Sequence, residues 1–294
     1  MTYSVVVPVY NGLSLLKKNL PSIMAIGADE VILVDDASAD GSADFVRRNF
    51  PEIKIIVHRI NQRFPVTVND GFQTAGGDWV ILLNQDVRPQ KDLLTTLSAY
   101  VTDPRLAAVT FNENRRSWAL ARLKKGVIDY TNGPIDNHVH FSLWASGGSA
   151  AFNKTVWKSL GGFDPVFSPG YYEDFDYGYR CWKRGYRIIW NPRSKVNHTP
   201  ETSFRMAFPP AYLTRLKDRN YLLCHWKNLD ATNLPAHTIN LLKRCLTRPG
   251  YLLPVIWALA SLGHIFTYRK KAKPVRQLSD SQMFSLINTA YNQL

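Results

Sequence analysis

Several acidic side chains and one imidazole of this sequence stand at predicted strand ends or in predicted loops. They are Asp35, Asp36, Asp86, Glu173, Asp174 and His198. One carboxylate in such a position, Asp86, can hold Mg²⁺ or Mn²⁺ against a diphosphate, because these ions take few protein ligands and complete their shell with water and phosphate oxygens. The adjacent Glu173 and Asp174 offer a carboxylate that can accept a proton. Together these residues predict a nucleotide-diphosphate site with a metal ion and a separate base.

Each of these residues also has a simpler interpretation. Asp35, Asp36 and Asp86 fit the role of capping residues in turns and at helix starts. Asp174 fits the first turn of a helix, where a carboxylate interacts favourably with the helix dipole. A lone histidine such as His198 is more often structural than a metal ligand. The combination, rather than any one residue, favours the catalytic interpretation.

Strand and helix patterns alternate along the part of the chain that must position these residues. Strands are predicted at Ser4–Tyr10, Glu30–Val34, Ile53–Val57, Trp79–Leu83, Leu106–Phe111 and Arg187–Trp190, and helices at Leu13–Ile26, Val66–Thr74 and Lys154–Leu160. This order predicts an α/β, Rossmann-like, mostly parallel sheet with helices on both faces. Such sheets bind ligands beyond the carboxyl ends of their strands. The long polar connection 112–140 is expected to be irregular and to act as a functional flap.

Composition narrows the class of protein. The 294 residues are 45% hydrophobic, which indicates a globular chain of one large domain or one domain with an appendage. The three cysteines make no disulfide or metal spacing and predict a reducing, cytoplasmic compartment. Residues 1–3 lead directly into a strand, so no signal peptide is expected. No signature of a nucleic-acid-binding module is found, and nucleic acid is not expected as a partner.

The C-terminal third differs in charge and pattern. Residues 201–294 carry 13 Lys+Arg and 4 Asp+Glu, a net charge of +9, whereas residues 1–200 carry 23 and 19. The nearly uncharged stretch 251–268 runs into the basic cluster 269–273, with a polar stripe of Ser261, His264 and Tyr268. This pattern predicts a helical extension that lies on the anionic inner face of the cell membrane. A buried helix at the interface of a homodimer is the alternative.

The order and spacing of the motifs resemble family 2 glycosyltransferases with the GT-A fold. The matching stretches are Val5–Gly12, Val34–Ser42, Asn69–Gly71, Leu83–Val87, Gly147–Phe152, Gly161–Asp164 and Tyr172–Asp176 with Arg180. The Asn84–Asp86 turn is similar to the variants of bacterial rhamnosyltransferase-like members. The resemblance implies a catalytic domain at 1–204, with a nucleotide-binding half at about 1–111 and an acceptor-binding half at about 112–204. Residues 205–294 form the extension.

The resemblance also implies roles for single residues. Those implied for the donor nucleotide are Pro8, Tyr10, Asn11, Asp36, Asn69, Asn84 and Asp86. In this interpretation the Asp36 carboxylate accepts a hydrogen bond from the base, and Asn84 stands where the family's metal motif has its first Asp. Asp86 and His198 are the implied ligands of Mg²⁺ or Mn²⁺.

The acceptor side is expected to contain the catalytic pair Glu173 and Asp174, with Asp174 as the general base. Trp144, Gly147, Gly148 and Asp176 are expected to contact the acceptor or the sugar, with core packing as the alternative for Trp144. Gly147 and Gly148 would allow a close approach of the backbone to the sugar.

The implied activity is that of an inverting glycosyltransferase. It would move a sugar from a nucleotide-diphosphate sugar to a hydroxyl of a glycan or lipid-linked glycan, as in cell-surface polysaccharide synthesis. Two alternatives remain at this point. A polyprenyl-phosphate sugar transferase would use a lipid phosphate as acceptor, and a sugar-nucleotide-binding scaffold would have no catalytic step.

Overall fold

The computed structural model describes residues 1–113, 118–198 and 207–291, and within these ranges nine strands form one central sheet. The strands of this sheet are β1 (Tyr3–Val9), β2 (Glu30–Asp35), β3 (Lys54–Val57), β4 (Trp79–Leu83), β5 (Val87–Pro89), β6 (Leu106–Asn112), β9 (His140–Phe141), β10 (Ser149–Asn153) and β11 (Arg187–His198). Their order is β3-β2-β1-β4-β10-β6-β11-β5, and β9 pairs with β11. The expected α/β architecture is therefore confirmed.

Strands β3, β2, β1 and β4 are parallel, as their continuous apolar runs predict, and β11 is parallel to β6. Strand β10 lies antiparallel between β4 and β6, with Ser149 opposite Leu83. Because β10 runs the other way, its first residue meets the last residue of β4. The start of β10 thus joins the ends of the parallel strands at one edge of the sheet.

Helices pack on this sheet, and further helices follow it at the C-terminus of the chain. In chain order they are α1 (Leu13–Met24), α2 (Ser42–Asn49), α3 (Phe64–Thr74), α4 (Leu93–Ser98), α5 (Lys154–Leu160), α6 (Glu173–Lys183), α7 (Pro210–Asn228), α8 (Leu234–Thr247), α9 (Leu252–Leu259), α10 (Leu262–Ala272) and α11 (Asp280–Ile287). Helix α3 packs closely on β1 because it carries Gly71 there: a Cβ at that position would lie 2.4 Å from Val6 Cγ1. The amphipathic helices predicted from the sequence are confirmed to within a few residues at their ends.

The connection 112–140 is not irregular, as the sequence interpretation expected. It contains the antiparallel hairpin β7 (Ala119–Lys124) and β8 (Val127–Asn132), whose turn places Lys125 and Gly126 at positive φ. The tip of this hairpin packs on α8, because Gly126 O lies 3.0 Å from His237 Nδ1 and a Cβ on Gly126 would meet the backbone of that helix. The hairpin is thus anchored at its tip.

The C-terminal third is helical, as predicted, and the expected boundary at residues 204 and 205 lies outside the described residues. The stretch 251–268 is divided between α9 and α10. Within the described part of the chain, no single helix has both the length and the apolar content needed to cross a membrane. The segments Pro249–Leu259 and Leu262–Val275 meet that test only as a pair, bent by 63°.

Buried ion pairs fasten these helices to α6. Asp176 Oδ2 lies 2.8 Å from both Arg180 Nε and Lys227 Nζ, and Lys227 also reaches Asp164 Oδ2 at 2.6 Å. At the other end of α6, Lys183 Nζ is 2.6 Å from Asp280 Oδ1. The extension therefore supplies Lys227 as the counter-charge of Asp164 and Asp176, and Asp280 as the counter-charge of Lys183.

Candidate active site

The strand ends and the start of α6 surround a cleft of about 260 Å³. Its described lining is Pro8, Val9, Tyr10, Asp36, Asn61, Arg63, Phe64, Thr67, Asn84, Gln85, Asp86, Ser146, Gly147, Gly148, Pro169, Tyr171, Tyr172, Glu173, Asp174, His198, Ala207 and Phe208. Most of the residues that the sequence assigned to a site are therefore brought together. The carboxyl ends of β1, β2 and β4 and the start of α6 all contribute to this lining.

Asp36, directly after β2, is fixed by groups from the loop that follows β3. Its carboxylate accepts the backbone N–H groups of Gln62 at 2.6 Å and Arg63 at 2.9 Å, and His58 Nδ1 lies 2.8 Å from Oδ1. These bonds occupy three of the roughly four lone-pair sites of a carboxylate. The remaining site can accept one further hydrogen bond in the cleft, as a nucleobase N–H would provide.

The Asn84–Asp86 turn is held against the start of β10. Asn84 N–H donates to Gly148 O at 2.9 Å, and Val87 N–H donates to Asn84 O at 2.9 Å. A Cβ on Gly148 would lie 2.8 Å from Asn84 Nδ2, and one on Gly147 would lie 3.3 Å from Asp174 Oδ2. The two glycines therefore let the Asn84–Asp86 turn and the Asp174 carboxylate approach the same backbone segment.

His198, the last residue of β11, lies between two buried carboxylates. Its Nε2 is 3.3 Å from Asp86 Oδ1, and its Nδ1 is 3.2 Å from Glu113 Oε2. Burial would lower the pKa of His198, but the hydrogen bonds and charges of Asp86 and Glu113 outweigh burial and raise it to about 9. Glu113 in turn accepts the hydroxyls of Ser146 at 2.9 Å and Ser149 at 2.5 Å.

The donor set at this turn suits a hard divalent ion. Asn84 Oδ1 is buried and has no hydrogen-bond partner within the described chain, and it lines the cleft together with Asp86 and His198. No group of three or more His, Cys, Asp or Glu side chains with metal-site geometry occurs among the described residues. One carboxylate, one amide oxygen and one imidazole still fit Mg²⁺ or Mn²⁺, because phosphate oxygens and water complete the shell of such ions.

Glu173 and Asp174 are the first two residues of α6, and both line the cleft. Asp174 accepts the N–H of Gly147 at 3.0 Å and that of Phe175 at 2.7 Å, yet burial raises its pKa above that of an ordinary aspartate. Burial, reinforced by the Asp174 charge, raises the pKa of Glu173 well above its usual value. Glu173 Oε2 has no hydrogen-bond partner among the described residues. Both carboxyl groups therefore hold a proton more readily than ordinary acidic side chains do, as expected of a carboxylate that takes a proton.

The turn before this pair is held in a strained conformation. Tyr171 and Tyr172 have φ of 72° and 73°, which non-glycine residues rarely adopt. Asn220 on α7 fixes them: its Nδ2 donates to Gly170 O at 3.0 Å and to Tyr171 O at 2.8 Å. The Tyr172 hydroxyl also lies 2.8 Å from that of Tyr130 on β8. The extension and the hairpin therefore both position the start of α6.

Four predicted contacts need correction. Asp176 is fully buried and its carboxylate is taken by Arg180, Lys227 and Asn228, so it cannot bind an acceptor. Asn69 does not line the cleft but clamps the Gly161–Phe163 turn through both backbone groups of Phe163.

Asn11 also lies outside the cleft lining, because its side chain accepts the N–H of Ala39 and thereby joins the loops after β1 and β2. The ring of Trp144 packs on Tyr130 and Phe175, with centroid distances of 5.1 and 5.3 Å, as the core-packing alternative expects. The side chains of Asn69, Asn11 and Trp144 thus contact other parts of the protein.

Other residues of the site were missed. Glu113 directly follows β6, so the rule that placed Asp36 and Asp86 at strand ends could have found it. Arg63 and Tyr172 owe their places to unusual backbone conformations, for which the sequence carries no signal. Asn220 comes from a helix about 50 residues beyond the turn that it holds.

Comparisons with known proteins bear on this geometry. Residues 4–154 match the model of a protein family described as glycosyl transferase family 2. The match covers nearly all of the chain from β1 to β10, and it ends before α6.

The curated relatives match this chain over less than half of their own length. The chain is 32% identical over 135 residues to the undecaprenyl-phosphate 4-deoxy-4-formamido-L-arabinose transferase of Pectobacterium carotovorum, which is 43% of this chain and 41% of the relative. The enzyme of the same name from Edwardsiella ictaluri is 30% identical over 143 residues, 44% of each chain. The chain thus spans less than half the length of the curated relatives it matches.

Solved structures share the fold at low sequence identity. The mannosyltransferase PcManGT from Pyrobaculum calidifontis, in complex with GDP-Man and Mn²⁺, has a TM-score of 0.56 at 19% identity and covers 97% of this chain and 86% of its own. TarS 1–349 of S. aureus with UDP has a TM-score of 0.54 at 17% identity, with 84% and 72% covered. GalNAc-T7 with UDP, GalNAc and Mn²⁺ reaches 0.61 at 17%, with 76% and 47% covered. The GT-A fold inferred from the sequence is confirmed.

Proposed function

Since the chain belongs to glycosyl transferase family 2, we propose that it moves a sugar from a nucleotide-diphosphate sugar to a hydroxyl group of a glycan or lipid-linked glycan. The observation that carries this proposal is the presence, in one cleft, of the Asn84–Asp86 turn and the Asp174 carboxylate. The first suits a leaving diphosphate and the second suits an attacking hydroxyl. We expect Pro8, Tyr10 and Asp36 to bind the nucleoside.

In this reaction Asp174 accepts the proton of the acceptor hydroxyl as that oxygen attacks the anomeric carbon. The N–H groups of Gly147 and Phe175 hold the Asp174 carboxylate in place while it does so. The attack occurs on the face opposite the diphosphate, so one displacement without a covalent sugar–enzyme step inverts the anomeric configuration. Asn84, Asp86 and His198 would hold a divalent ion, which supplies electrostatic stabilisation of the charge that develops on the diphosphate.

The nature of the acceptor is the main alternative. The names of the curated relatives favour a polyprenyl-phosphate acceptor as a second candidate. A phosphate, however, is already ionised at neutral pH and needs no base, and the Asp174 carboxylate would oppose the approach of an anion. The Asp174 side of the cleft therefore favours a neutral hydroxyl.

A donor screen tests the proposal. We expect one sugar nucleotide to raise the melting temperature in the presence of Mn²⁺ and to be consumed when acceptors are added, since a bound ligand stabilises the folded state. Asp86→Asn should abolish both effects, whereas Asp92→Asn, at an exposed acidic position of the next element, should not. Turnover with undecaprenyl phosphate alone would select the second candidate. Binding without turnover on any acceptor would indicate a scaffold.

The extension carries a surface that supports a place at the membrane. The polar stripe expected on α9 and α10 faces the protein: Ser261 Oγ accepts from Arg219 at 3.2 Å, His264 Nε2 is 2.8 Å from Asp164, and Lys227 Nζ lies 4.3 Å from the Tyr268 ring centroid. The apolar residues therefore face outward. Those between 47% and 81% exposed on α8 to α10 are Ile239, Leu242, Leu246, Leu252, Leu253, Ile256, Leu259 and Phe266.

We propose that these eight residues form the membrane face of the protein. A patch of this kind with basic residues beside it, here 269–273, fits the interface of an anionic bilayer. Each charge near the lipid surface would add roughly 1 kcal/mol. The protein would then lie at the inner face of the cell membrane, where a lipid-linked acceptor is presented.

Flotation of the full-length protein with anionic liposomes tests this face. The double variant Ile256→Asp, Phe266→Asp should remain in the soluble fraction, whereas Ile135→Asp, at a 53% exposed site far along the chain, should float like the wild type. If the wild type does not float at low salt, the membrane proposal fails. A homodimer that buries the same face, detected by sedimentation, would take its place.

A further inference from the structure

The cleft is rich in acidic groups and poor in cations. Four carboxyl groups line its described part, those of Asp36, Asp86, Glu173 and Asp174. A nucleotide-diphosphate sugar brings further negative charge into this space. Within the described lining, the only residues that can carry positive charge are Arg63 and His198. A ligand with phosphate groups therefore has few side chains to bind it.

These two residues differ in their partners. His198 lies between Asp86 and Glu113, at 3.3 and 3.2 Å, so both of its ring nitrogens already face carboxylates of the protein. The side chain of Arg63 is exposed in the cleft. Its guanidinium has no hydrogen bond or ion pair with any described residue, and the bonds of Arg63 are made by its backbone. Arg63 is thus the cation that remains available to a ligand.

The backbone of Arg63 holds this side chain at the cleft in spite of strain. With φ of 75° and ψ of 159°, Arg63 lies in a region that is almost restricted to glycine. Its N–H donates to Asp36 Oδ2 at 2.9 Å and to Asn61 Oδ1 at 3.0 Å, and its carbonyl accepts from Thr67 N–H at 3.0 Å. Glycine would satisfy the same bonds without strain, so the fold gains nothing from an arginine here.

We propose that the Arg63 guanidinium binds a substrate phosphate in the cleft, and so acts as a binding residue of this enzyme. A planar guanidinium matches two phosphate oxygens with two parallel N–H donors. Since the Arg63 N–H shares the Asp36 carboxylate with the nucleoside site, the phosphates next to that nucleoside, those of the donor, are the favoured source. A phosphate of a lipid acceptor would present the same chemistry. The inference rests on the proposed function.

Calorimetric titration with UDP, dTDP, GDP and ADP, and with the matching nucleosides, tests the inference. For the nucleotide that binds best, Arg63→Gly should weaken affinity about tenfold to a hundredfold, as expected for a lost hydrogen bond to a charged group. Nucleoside affinity should not change. Arg63→Lys should recover part of the loss. Arg59→Ala, which removes an exposed charge from the same loop outside the cleft lining, should bind like the wild type.

The melting temperature separates a binding role from a structural one. Arg63→Gly relieves the strained φ, so it should melt at a higher temperature than the wild type although it binds the nucleotide less well. A variant that melts lower and loses nucleoside affinity equally would overturn the proposal, because the arginine would then act through the fold.

Two further outcomes separate the phosphate sources and the two proposals. If Arg63→Gly retains nucleotide affinity but loses affinity for a short-chain polyprenyl phosphate, Arg63 binds the acceptor phosphate. If it loses neither, the inference is wrong while the proposed function stands. If the wild type binds none of the nucleotides or their sugar derivatives, the proposed function fails and Arg63 has no phosphate to bind.

Discussion

Helix α6 carries two kinds of carboxyl group within one turn. Glu173 and Asp174 face the cleft without any cation as partner in the described structure, and burial raises the pKa of both. Asp176, two residues further on, faces the extension and meets Arg180, Lys227 and Asn228, each at 2.8 Å. Burial is therefore not what distinguishes them. The presence or absence of a counter-charge separates a carboxylate that holds the fold from one that can take a proton.

The largest expected effect is on catalysis. Asp174→Asn removes the uncompensated base and should lower kcat by ~10²–10⁴-fold, the usual cost of losing a general base. The amide preserves the shape of the side chain, so the melting temperature and donor affinity should stay near those of the wild type. Single-turnover assays with the identified donor measure the effect. Near-native turnover would move the role of the base to another carboxylate.

Removing the counter-charge of Asp176 should lower the stability of the fold. Lys227→Met keeps the apolar stem but leaves Asp164 and Asp176 with one cation fewer, which should lower the free energy of unfolding by about 3–5 kcal/mol. Urea titration followed by circular dichroism gives the value. Lys91→Met, at an exposed site, serves as control and should change it by less than ~0.5 kcal/mol. An equal loss in both variants would show that the buried network has no special weight.

Acid should affect activity before stability. Asp174 must be deprotonated to act as a base, and its pKa is raised, so activity falls with decreasing pH sooner than an ordinary aspartate would cause. Burial would also raise the pKa of Asp164, but the charge and hydrogen bond of Lys227 hold it well below the usual range. Asp164 therefore stabilises the fold above its unfolded pKa, and this contribution is lost only as the pH falls toward its lowered pKa.

Profiles of kcat/KM and of unfolding free energy against pH should thus be offset. We expect an acidic interval in which the protein is folded and inactive, and activity returns when the pH is raised. Loss of activity and of structure at the same pH would contradict the assignment of Asp174 as the titrating base.

The smallest effect is expected at Glu173. The raised pKa of Glu173 favours its neutral form, and a neutral carboxyl group resembles an amide in shape and hydrogen bonding. Glu173→Gln should therefore change kcat by about twofold or less. The same turnover assay measures it. A loss as large as that of Asp174→Asn would make Glu173 the base.

The sequence predicts the residues around the cleft better than it predicts the contacts between α6 and the extension. Asp36 and Asp86 follow β2 and β4, Pro8 lies near the end of β1, and His198 ends β11. Because the parallel order brings strand ends together, their meeting could be expected. The fate of Asp176 could not, because its partners Lys227 and Asn228 lie some 50 residues further along the chain.

Three other features of the structure could not be predicted from the sequence for related reasons. The hairpin of β7 and β8 lacks a clear apolar alternation, since most of β8 is exposed. The polar stripe of α9 and α10 was visible in the sequence, but whether it faced solvent or protein depended on Asp164, Arg219 and Lys227. The backbone strain at Arg63 arises from bonds to Asp36 and Asn61, which no local pattern encodes.

The ion pairs between α6 and the extension have a consequence for biosynthesis. Lys183 finds its partner Asp280, and the Tyr179 hydroxyl donates to the same carboxylate, only after nearly the whole chain has been made. At ~5–20 residues per second, the ribosome needs roughly 5–20 s to proceed from Asp176 to Asp280. During that time the first half of the sheet can fold, while α6 still lacks its counter-charges. The nascent chain should therefore complete the α6 side of its cleft last, close to its release from the ribosome.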